Sequence, residues 1–308
     1  MRQTVLESLE KLANRNKKII FIGSDLGPNV LKNFKKKHPQ RFFMEGAAEQ
    51  HIISMACGMA QEGFIPYVNT IATFLTRRCF EQISLNMGLQ KNKIRLIANG
   101  GGLVYAPLGP THLAIDDISI MRMVPNMTIL VPADANEMAK LMEETINYPG
   151  PIYIRVAKGG DPIVTENLYK KFKIGNLYKI GKEKKIVIIT TGITLNIALK
   201  IREKLNRDGF KIGVIHAPTV KPLNKKQLHN FTKDSSFIIT MEEQNIIGGL
   251  GGAVSEILME NKPNNLIKFK RIGLPDIFPE GYGRQHNMMK KYKIDFKGCL
   301  NQIKKVIK

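Results

Sequence analysis

The sequence contains no tryptophan, only three cysteines and no long apolar run. Cys57, Cys79 and Cys299 are too few and too widely spaced for a disulfide framework or for paired metal ligands. No apolar run approaches the roughly 20 residues that a bilayer-spanning helix needs, and the N-terminus lacks the apolar core of a signal peptide. These absences argue against disulfide-rich secreted proteins and against membrane proteins, so a soluble cytoplasmic protein is expected.

Acidic residues are scarce relative to basic ones. The 47 Lys and Arg outnumber the 26 Asp and Glu, which gives a formal net charge of +21. The basic residues are spread along the chain, and short runs such as 35–37 and 182–185 are interpreted as solvated faces. These runs also lack the interleaved aromatic residues of a base-stacking surface. No nucleic-acid partner is therefore expected, although a basic nucleic-acid-binding module remains an alternative, which strong salt-dependent affinity for duplex DNA would favour.

The first half of the chain alternates short β-branched runs with helical patterns. Apolar residues recur at helical spacing from Val5 to Ala13, from Ile52 to Ala60, around Phe74 to Leu89, and from Ala135 to Ile146. Between these patterns we predict strands at Ile19–Ile22, Ile65–Val68, Ile94–Ala98, Met127–Val131 and Ile152–Val156. Continuous apolar strands that alternate with helices predict a parallel sheet covered on both faces.

The second half repeats this alternation after a polar stretch. We predict strands at Ile186–Thr190, Ile212–Ile215, Phe237–Thr240 and Leu266–Phe269, with helices at Ile193–Leu205 and Ala253–Met259. A chain of 308 residues is expected to hold about two domains. The fold class is therefore α/β, with two doubly wound, mostly parallel sheets, in domains at 1–165 and 181–308 joined by a linker at 166–180.

Familiar phosphate-binding signatures are missing. There is no Walker-type loop, and the glycines from Gly248 to Gly252 fail the dinucleotide fingerprint because Val254 stands where its third glycine belongs. Close packing of a helix on a strand is the better interpretation of these glycines.

Three segments could carry chemistry. Glu49 stands in the first turn of an otherwise apolar helix, where it is either an acid favoured by the helix dipole or a functional carboxylate held in apolar surroundings. Phe74 and His112 each follow a predicted strand, at the end of the sheet where open α/β folds bind ligands. Taken alone, His112 is more simply interpreted as a structural loop histidine.

In order, these segments and their neighbours resemble the C-terminal two-thirds of the transketolase family, which uses thiamine diphosphate. The family includes transketolase and 1-deoxyxylulose-5-phosphate synthase, and the resemblance spans nearly the whole chain. Its ordered motifs are Gly-Ser-Asp-Leu-Gly at 23–27, Gly-Ala-Ala-Glu-Gln-His at 46–51, Thr-Phe-Leu-Thr-Arg at 73–77, Gly-Pro-Thr-His at 109–112, Met-Glu-Glu-Gln at 241–244, Gly-Gly-Leu-Gly at 248–251 and Gly-Leu-Pro-Asp at 273–276. It implies a thiamine-diphosphate pyrimidine-binding domain followed by the smaller transketolase C-terminal domain.

The resemblance also implies cofactor-binding residues. Glu49 matches the family glutamate that bonds the aminopyrimidine N1′ and so promotes loss of the thiazolium C2 proton. Phe74 matches the aromatic residue that stacks on the aminopyrimidine. Arg77 and Phe80 follow it by three and six residues and are expected to flank the same helix face. Asp25 matches an acid at a strand end near the cofactor.

Residues expected to face substrate show departures from the family. His112 matches a histidine near the substrate carbonyl and C1 hydroxyl. Leu108 stands where transketolases usually carry an aspartate that binds a donor hydroxyl, Lys158 stands in place of a phosphate-binding arginine, and Gly100 aligns with a phosphate-loop histidine. Transfer of a two-carbon ketol unit between sugars is expected to survive these changes. The donor or the acceptor is expected to differ from the usual ketose phosphates, either by lacking a terminal phosphate or by carrying a bulkier group in its place.

One half of the family's cofactor site is missing from the sequence. No Gly-Asp-Gly motif occurs, so the hard oxygen ligands for Mg²⁺ and the diphosphate must come from another chain, and no metal ligand is predicted here. The chain therefore resembles the second subunit of a split transketolase, which shares thiamine diphosphate with an N-terminal subunit in an α2β2-type assembly. The main enzymatic alternative is the β subunit of a 2-oxo acid dehydrogenase's decarboxylating component, which shares both domains. A synthase of the deoxyxylulose type is less expected, because that enzyme is normally one chain.

Overall fold

A computed structural model describes residues 1–24, 31–169, 171–260 and 267–307, and its first half is built on a sheet of seven strands. The strands are β1 Ile19–Gly23, β2 Phe42–Met44, β3 Ile65–Ile71, β4 Arg95–Asn99, β5 Thr128–Leu130, β6 Ile152–Val156 and, from the second half of the chain, β10 Thr219–Lys221. Their order is β10-β5-β6-β4-β3-β1-β2, and all neighbours are parallel except β10, which pairs antiparallel with β5.

The second half is built on a sheet of five strands. They are β7 Tyr178–Ile180, β8 Ile186–Thr190, β9 Ile212–His216, β11 Phe237–Asn245 and β12 Lys268–Leu274. Their order is β12-β11-β8-β9-β7, and β7 alone is antiparallel to its neighbour. The predicted α/β fold with two mostly parallel sheets is confirmed.

Helices cover these sheets. In the first half they are α1 Arg2–Arg15, α2 Lys32–Lys37, α3 Glu49–Gln61, the irregular helix α4 (Phe74–Arg78, Phe80–Gln82 and Ile83–Leu89), α5 Asp117–Met123 and α6 Ala135–Thr145. In the second half they are α7 Thr194–Arg207, α8 Lys225–Thr232, α9 Leu250–Glu260, α10 Gln285–Lys291 and α11 Phe296–Ile307. No helix in the described ranges is long and apolar enough to cross a membrane.

Alternation along β1 shows how the first sheet is buried on both faces. Ile19 and Phe21 pack into a core with α1 and α6, whereas Ile20 and Ile22 pack into a second core with α3. The second core continues into the second half, where it includes Ile189 of β8. The two halves therefore share one continuous apolar core.

The structure adds elements that the sequence patterns did not predict. The strands β2, β7 and β10 are only three residues long, too short to show a period, and β7 lies in the segment predicted as a linker. Strand β11 continues past the predicted Thr240 to Asn245, because its polar end remains buried against the first half. The predicted strand at 266–269 begins outside the described residues and is observed as β12.

Candidate functional site

The carboxyl ends of β1, β3 and β4 meet in a buried polar layer. The Ser24 and Thr70 hydroxyl oxygens lie 2.7 Å apart, and the Asn99 amide donates to the side-chain oxygen of Asn69 at 2.6 Å. Asn99 Oδ1 is buried without a hydrogen-bond partner among the described residues. Short polar side chains at three neighbouring strand ends form the floor of the candidate site.

Glu49 begins α3, which follows β2, the strand paired with β1. Its side chain is only 2% exposed, although a carboxylate at a helix N-terminus is ordinarily solvated. Arg78 Nη1 donates to Glu49 Oε2 at 2.6 Å, and Arg78 is itself about half exposed. The Glu49 carboxylate is therefore buried, and its hydrogen-bond partner Arg78 lies at the surface.

Arg78 also contacts the ring of Phe74. Its guanidinium carbon lies 4.4 Å from the ring centroid, within the range of a cation–π contact. Arg78 is the fourth residue after Phe74, one of the two positions that face it on a helix, and the turn between them is wider than an α-helical turn. Sequence reasoning missed Arg78 because the family motif at 73–77 ends at Arg77, and the sequence does not show which of two consecutive arginines turns toward Phe74.

Arg77 and Phe80 lie elsewhere on α4. Arg77 forms a bidentate ion pair with Asp116 at 2.8 and 3.0 Å and also donates to the carbonyl of Leu113. It thereby links α4 to the loop that follows His112. Phe80 is 37% exposed on the surface, and Asp25 lies outside the described residues.

His112 meets Phe74 across the site. The two ring centroids are 5.3 Å apart, with an edge-to-face arrangement. His112 Nδ1 lies 2.9 Å from the hydroxyl of Thr111, so that hydroxyl can fix the orientation of the imidazole. The structure therefore brings together Glu49, Phe74 and His112, which are distant in the sequence.

The segment from Gly100 to Gly109, here called the site wall, runs from the end of β4 to the turn that carries His112. The Tyr105 ring lies directly against Gly100, in the space that any side chain at this position would occupy. Leu108 is 50% exposed, and Lys158 is exposed just beyond the end of β6. The space beside Gly100 is therefore filled by an aromatic ring from the same loop.

A buried ion pair between Arg155 and Asp117 lies against this segment, with the Arg155 side chain packed on Gly101. Arg155 donates to both carboxylate oxygens of Asp117 at 2.9 and 3.0 Å, and to the backbone carbonyl of Glu243 at 3.0 Å. Tyr153 donates to the same Asp117 at 2.7 Å. The network connects α5 and β6 of the first half to β11 of the second.

Two consecutive carboxylates of β11 are fully enclosed. Glu242 accepts from the backbone amides of Leu250 and Gly251 at the start of α9, and Glu243 accepts from the amide of Leu103. Burial raises the pKa of both carboxyl groups to about 7, against the opposing effects of their hydrogen bonds and of Arg155. The glycines at 249 and 251 allow the start of α9 to pack closely on the sheet, as predicted from the sequence, since a Cβ at Gly249 would meet Glu242 and one at Gly251 would meet Thr240.

The geometry suits a flat heteroaromatic ligand. Phe74 offers a partly exposed ring, and Glu49 offers a buried carboxylate that can hold a proton at a ring nitrogen. No group of three or more His, Cys, Asp or Glu side chains that could hold a metal ion occurs within 1–24, 31–169, 171–260 and 267–307. The site thus fits the pyrimidine end of thiamine diphosphate, and the described part of the chain offers no cluster for its metal.

Comparisons with known proteins agree with this geometry. Residues 1–160 match the family model "Transketolase, pyrimidine binding domain", and residues 175–298 match "Transketolase, C-terminal domain". An apulose-4-phosphate transketolase subunit of Phocaeicola vulgatus is 30% identical over 298 residues, covering 96% of this chain and 94% of that protein.

Two further relatives differ in how much of their own length this chain covers. The 1-deoxy-D-xylulose-5-phosphate synthase 1 of Geobacter sulfurreducens is 34% identical over 95% of this chain, but the match spans only 46% of that enzyme. A solved structure of a split-gene transketolase, described as an inactive β4 tetramer, is 30% identical with a TM-score of 0.88. The alignment covers 99% of this chain and 97% of that one.

Proposed function

Because this chain belongs to the transketolase family, we propose that it is the C-terminal subunit of a split, thiamine-diphosphate-dependent transketolase. The enzyme would transfer a two-carbon ketol unit between sugars and would act only with an N-terminal subunit. The observation that carries the proposal is the juxtaposition of the buried Glu49 carboxylate, the Phe74 ring and His112 at the ends of β3 and β4.

Glu49 and Phe74 are proposed to bind the aminopyrimidine. Phe74 orients the ring by stacking, and Glu49 holds a proton at N1′ from its position in the first turn of α3. Bound there, the cofactor supplies a thiazolium carbon that acts as nucleophile and electron sink. Arg78, which now bonds Glu49 and covers Phe74, must yield at least one of these contacts to the ligand. Arg77, Phe80 and Asp25 stay proposals as further cofactor neighbours.

His112 is proposed to bind the substrate carbonyl end. Its ring edge faces Phe74, and the Thr111 hydroxyl beside Nδ1 favours presentation of Nε2 to a ligand. An imidazole in this position can donate to a carbonyl or hydroxyl oxygen and can move a proton to or from it.

A partner chain is proposed for the other end of the cofactor. The described part of the chain shows no metal-ligand cluster, so Mg²⁺ and the diphosphate would be held by an N-terminal subunit. The P. vulgatus relative, of nearly the same length, is named as one subunit of a transketolase, which supports an enzyme divided between chains. An α2β2-type assembly is the simplest arrangement.

The residues proposed to face substrate favour a sugar other than the usual ketose phosphates. Leu108 cannot hydrogen-bond a sugar hydroxyl, and the Tyr105 ring occupies the place of a side chain at Gly100. Lys158 offers a single point charge where an arginine would bind phosphate through two parallel bonds. We propose that one substrate lacks a terminal phosphate or carries a bulkier group there.

The test is reconstitution with the N-terminal subunit, which a neighbouring reading frame carrying Gly-Asp-Gly would encode. The complex should exchange the thiazolium C2 hydrogen for deuterium rapidly, whereas this chain alone should bind thiamine diphosphate weakly. Glu49→Gln should slow the exchange by about 10²–10⁴-fold, with Glu62→Gln at the exposed end of α3 as the control. Tight, Mg²⁺-dependent binding to the chain alone would contradict the split site.

The products distinguish the two enzymatic functions. A transketolase should lengthen an aldose by two carbons, whereas the β subunit of a 2-oxo acid decarboxylating component should support decarboxylation of a simple 2-oxo acid. Activity should be assayed on xylulose 5-phosphate with ribose 5-phosphate, beside unphosphorylated and nucleotide-linked sugars. A specificity constant of about 10⁴ M⁻¹s⁻¹ or above for the phosphates alone would contradict the unusual-sugar proposal.

A further inference from the structure

The segment between β12 and α10 exposes three large apolar side chains. Ile277 is 44% exposed, Phe278 is 76% exposed and Tyr282 is 75% exposed. Large apolar side chains concentrated in one short segment are a feature of binding surfaces.

Hydrogen bonds hold this segment in place. The amide of Glu280 donates to the Tyr292 hydroxyl at 2.8 Å, and Lys291 Nζ donates to the Glu280 carbonyl at 2.9 Å. Three residues after Tyr282, the side-chain amide of Gln285 donates to the buried Glu243 carboxylate at 2.7 Å. The exposed aromatic rings therefore project from a backbone that is anchored on both sides of Tyr282.

Tyr282 lies against the loop that carries His112. A Cβ atom added to Gly109 would meet Tyr282 Cε1 at 2.7 Å, so the ring packs directly on this glycine. Gly109 has a φ of +80° and starts the single turn whose end is His112, since the His112 amide donates to the Gly109 carbonyl at 3.1 Å. An aromatic side chain of the second half thus extends the site wall formed by the first half.

We infer that Tyr282 is a specificity-determining residue that contacts the part of a sugar substrate lying beyond its two reacting carbons. This inference rests on the proposed function. Phe74 and His112 mark where the cofactor and the reacting carbonyl lie, and Tyr282 packs on Gly109, the residue between Leu108 and the turn that carries His112.

The chemistry of the wall defines the substrate class. An exposed phenol ring packs against the C–H face of a sugar, and its hydroxyl can exchange hydrogen bonds with a sugar hydroxyl. Leu108, which precedes Gly109 in the chain, is half exposed and adds apolar surface without charge. The arrangement fits an uncharged aldose acceptor of four carbons or more, whose distal carbons reach Tyr282, whereas a two-carbon aldehyde would end at His112.

The experiment uses this chain assembled with its N-terminal subunit, with hydroxypyruvate as donor. Hydroxypyruvate loses CO₂ and leaves the two-carbon unit, which bonds to the aldehyde carbon of the acceptor to give a ketose two carbons longer. The acceptors are glycolaldehyde, erythrose, ribose and ribose 5-phosphate. Tyr282→Ala should raise KM for erythrose and ribose by about 3- to 10-fold and leave glycolaldehyde kinetics unchanged.

Two control variants separate a specific contact from a general effect. Tyr282→Phe should keep most of the affinity, since it retains the ring. Phe278→Ala removes an equally exposed aromatic ring of the same segment and should leave every KM unchanged. Equal changes for glycolaldehyde and ribose, or no change for any acceptor, would overturn the inference, as would a parent enzyme that accepts no aldose longer than glycolaldehyde.

Two readouts separate failure of the proposed function from failure of the role of Tyr282. Exchange of the C2 hydrogen needs no substrate, so its absence from the parent complex refutes the proposed function itself, whereas intact exchange with unchanged KM values refutes only the role of Tyr282. If Tyr282 contacts the N-terminal subunit instead of sugar, Tyr282→Ala will raise the concentration of that subunit needed for half-maximal exchange. That result would also overturn the inference.

Discussion

Arg78 Nη1 lies 2.6 Å from Oε2 of Glu49, and the same guanidinium covers the Phe74 ring. One exposed side chain thus holds both residues that are proposed to bind the pyrimidine. The neighbouring Arg77 is turned away to Asp116. The two consecutive arginines therefore have different partners, since neighbouring residues of a helix point in different directions.

Arg78→Ala should destabilise this chain by about 1.5–3 kcal/mol, because it leaves the enclosed Glu49 carboxylate without its hydrogen bond to a charged group. Arg77→Ala is the matched control, since its ion pair with Asp116 is about one-third exposed on both sides and should contribute about 0.2–1 kcal/mol. Urea unfolding of the two variants measures the difference. A loss from Arg78→Ala of less than about 1 kcal/mol would show that Glu49 does not depend on Arg78.

Gly102→Ala should be more destabilising than Gly63→Ala. Both glycines have positive φ, +70° and +84°, so alanine is strained at either position by about 1–2 kcal/mol. A Cβ at Gly102 would also lie 2.5 Å from the Glu243 carboxyl, whereas nothing lies within 4 Å of one at Gly63. The buried contact should add about 1–3 kcal/mol, as measured by the unfolding midpoint in urea. A matching loss at both positions would contradict the close approach of Glu243.

Glu243 should make stability fall as the pH rises. Burial raises the pKa of its carboxyl from the ordinary 4.5 to about 7. The unfolded chain loses this proton near pH 4.5, whereas the folded chain keeps it until about pH 7. Its stabilising contribution is therefore complete below pH 4.5 and is lost as the pH approaches about 7.

The test compares Glu243→Gln with the parent chain at about pH 5 and about pH 8. The variant should gain stability relative to the parent on going to the higher pH, by up to about 3 kcal/mol. Glu242 titrates in the same range but is present in both proteins, so its effect cancels. Glu203→Gln on the exposed face of α7 is the control and should show no such gain. A pH-independent difference for Glu243→Gln would mean that this carboxyl is already ionised at about pH 5.

Much of the fold follows from local sequence patterns. Strands such as Ile152–Val156 and Ile186–Thr190 are continuous apolar runs, and the structure shows both with the predicted ends. Strand β10 could not be predicted, because three residues carry no period and its pairing with β5 depends on how the halves pack.

The site likewise contains residues that local sequence patterns predict and residues that they do not. Glu49 was expected in the first turn of a helix, and it lies there because an apolar helix begins at that point. Arg78 was missed because the sequence does not show which of the two consecutive arginines turns toward Phe74 and Glu49. Tyr282 was missed because its contact with Gly109 joins segments far apart in the sequence, and no local pattern reports such a contact.

The buried ion pair between Arg155 and Asp117 should show strong coupling. Arg155→Met alone should cost about 3–5 kcal/mol, because it leaves the Asp117 carboxylate enclosed without its cation. Asp117→Leu alone leaves the guanidinium uncompensated and should also be strongly destabilising. The double variant should lose less than the sum of the two single variants, by about 0.5–3 kcal/mol, because it removes both charges together.

The same double-mutant cycle on Arg207 and Glu203 provides the control. This pair is exposed on α7 at the spacing of one turn, and its coupling should be only about 0.3–0.5 kcal/mol. Free energies of unfolding in urea at about pH 7 give both cycles. If the Arg155–Asp117 losses added without coupling, the carbonyl groups of Ala114 and Glu243, which also accept from Arg155, would have to be the main partners of its guanidinium.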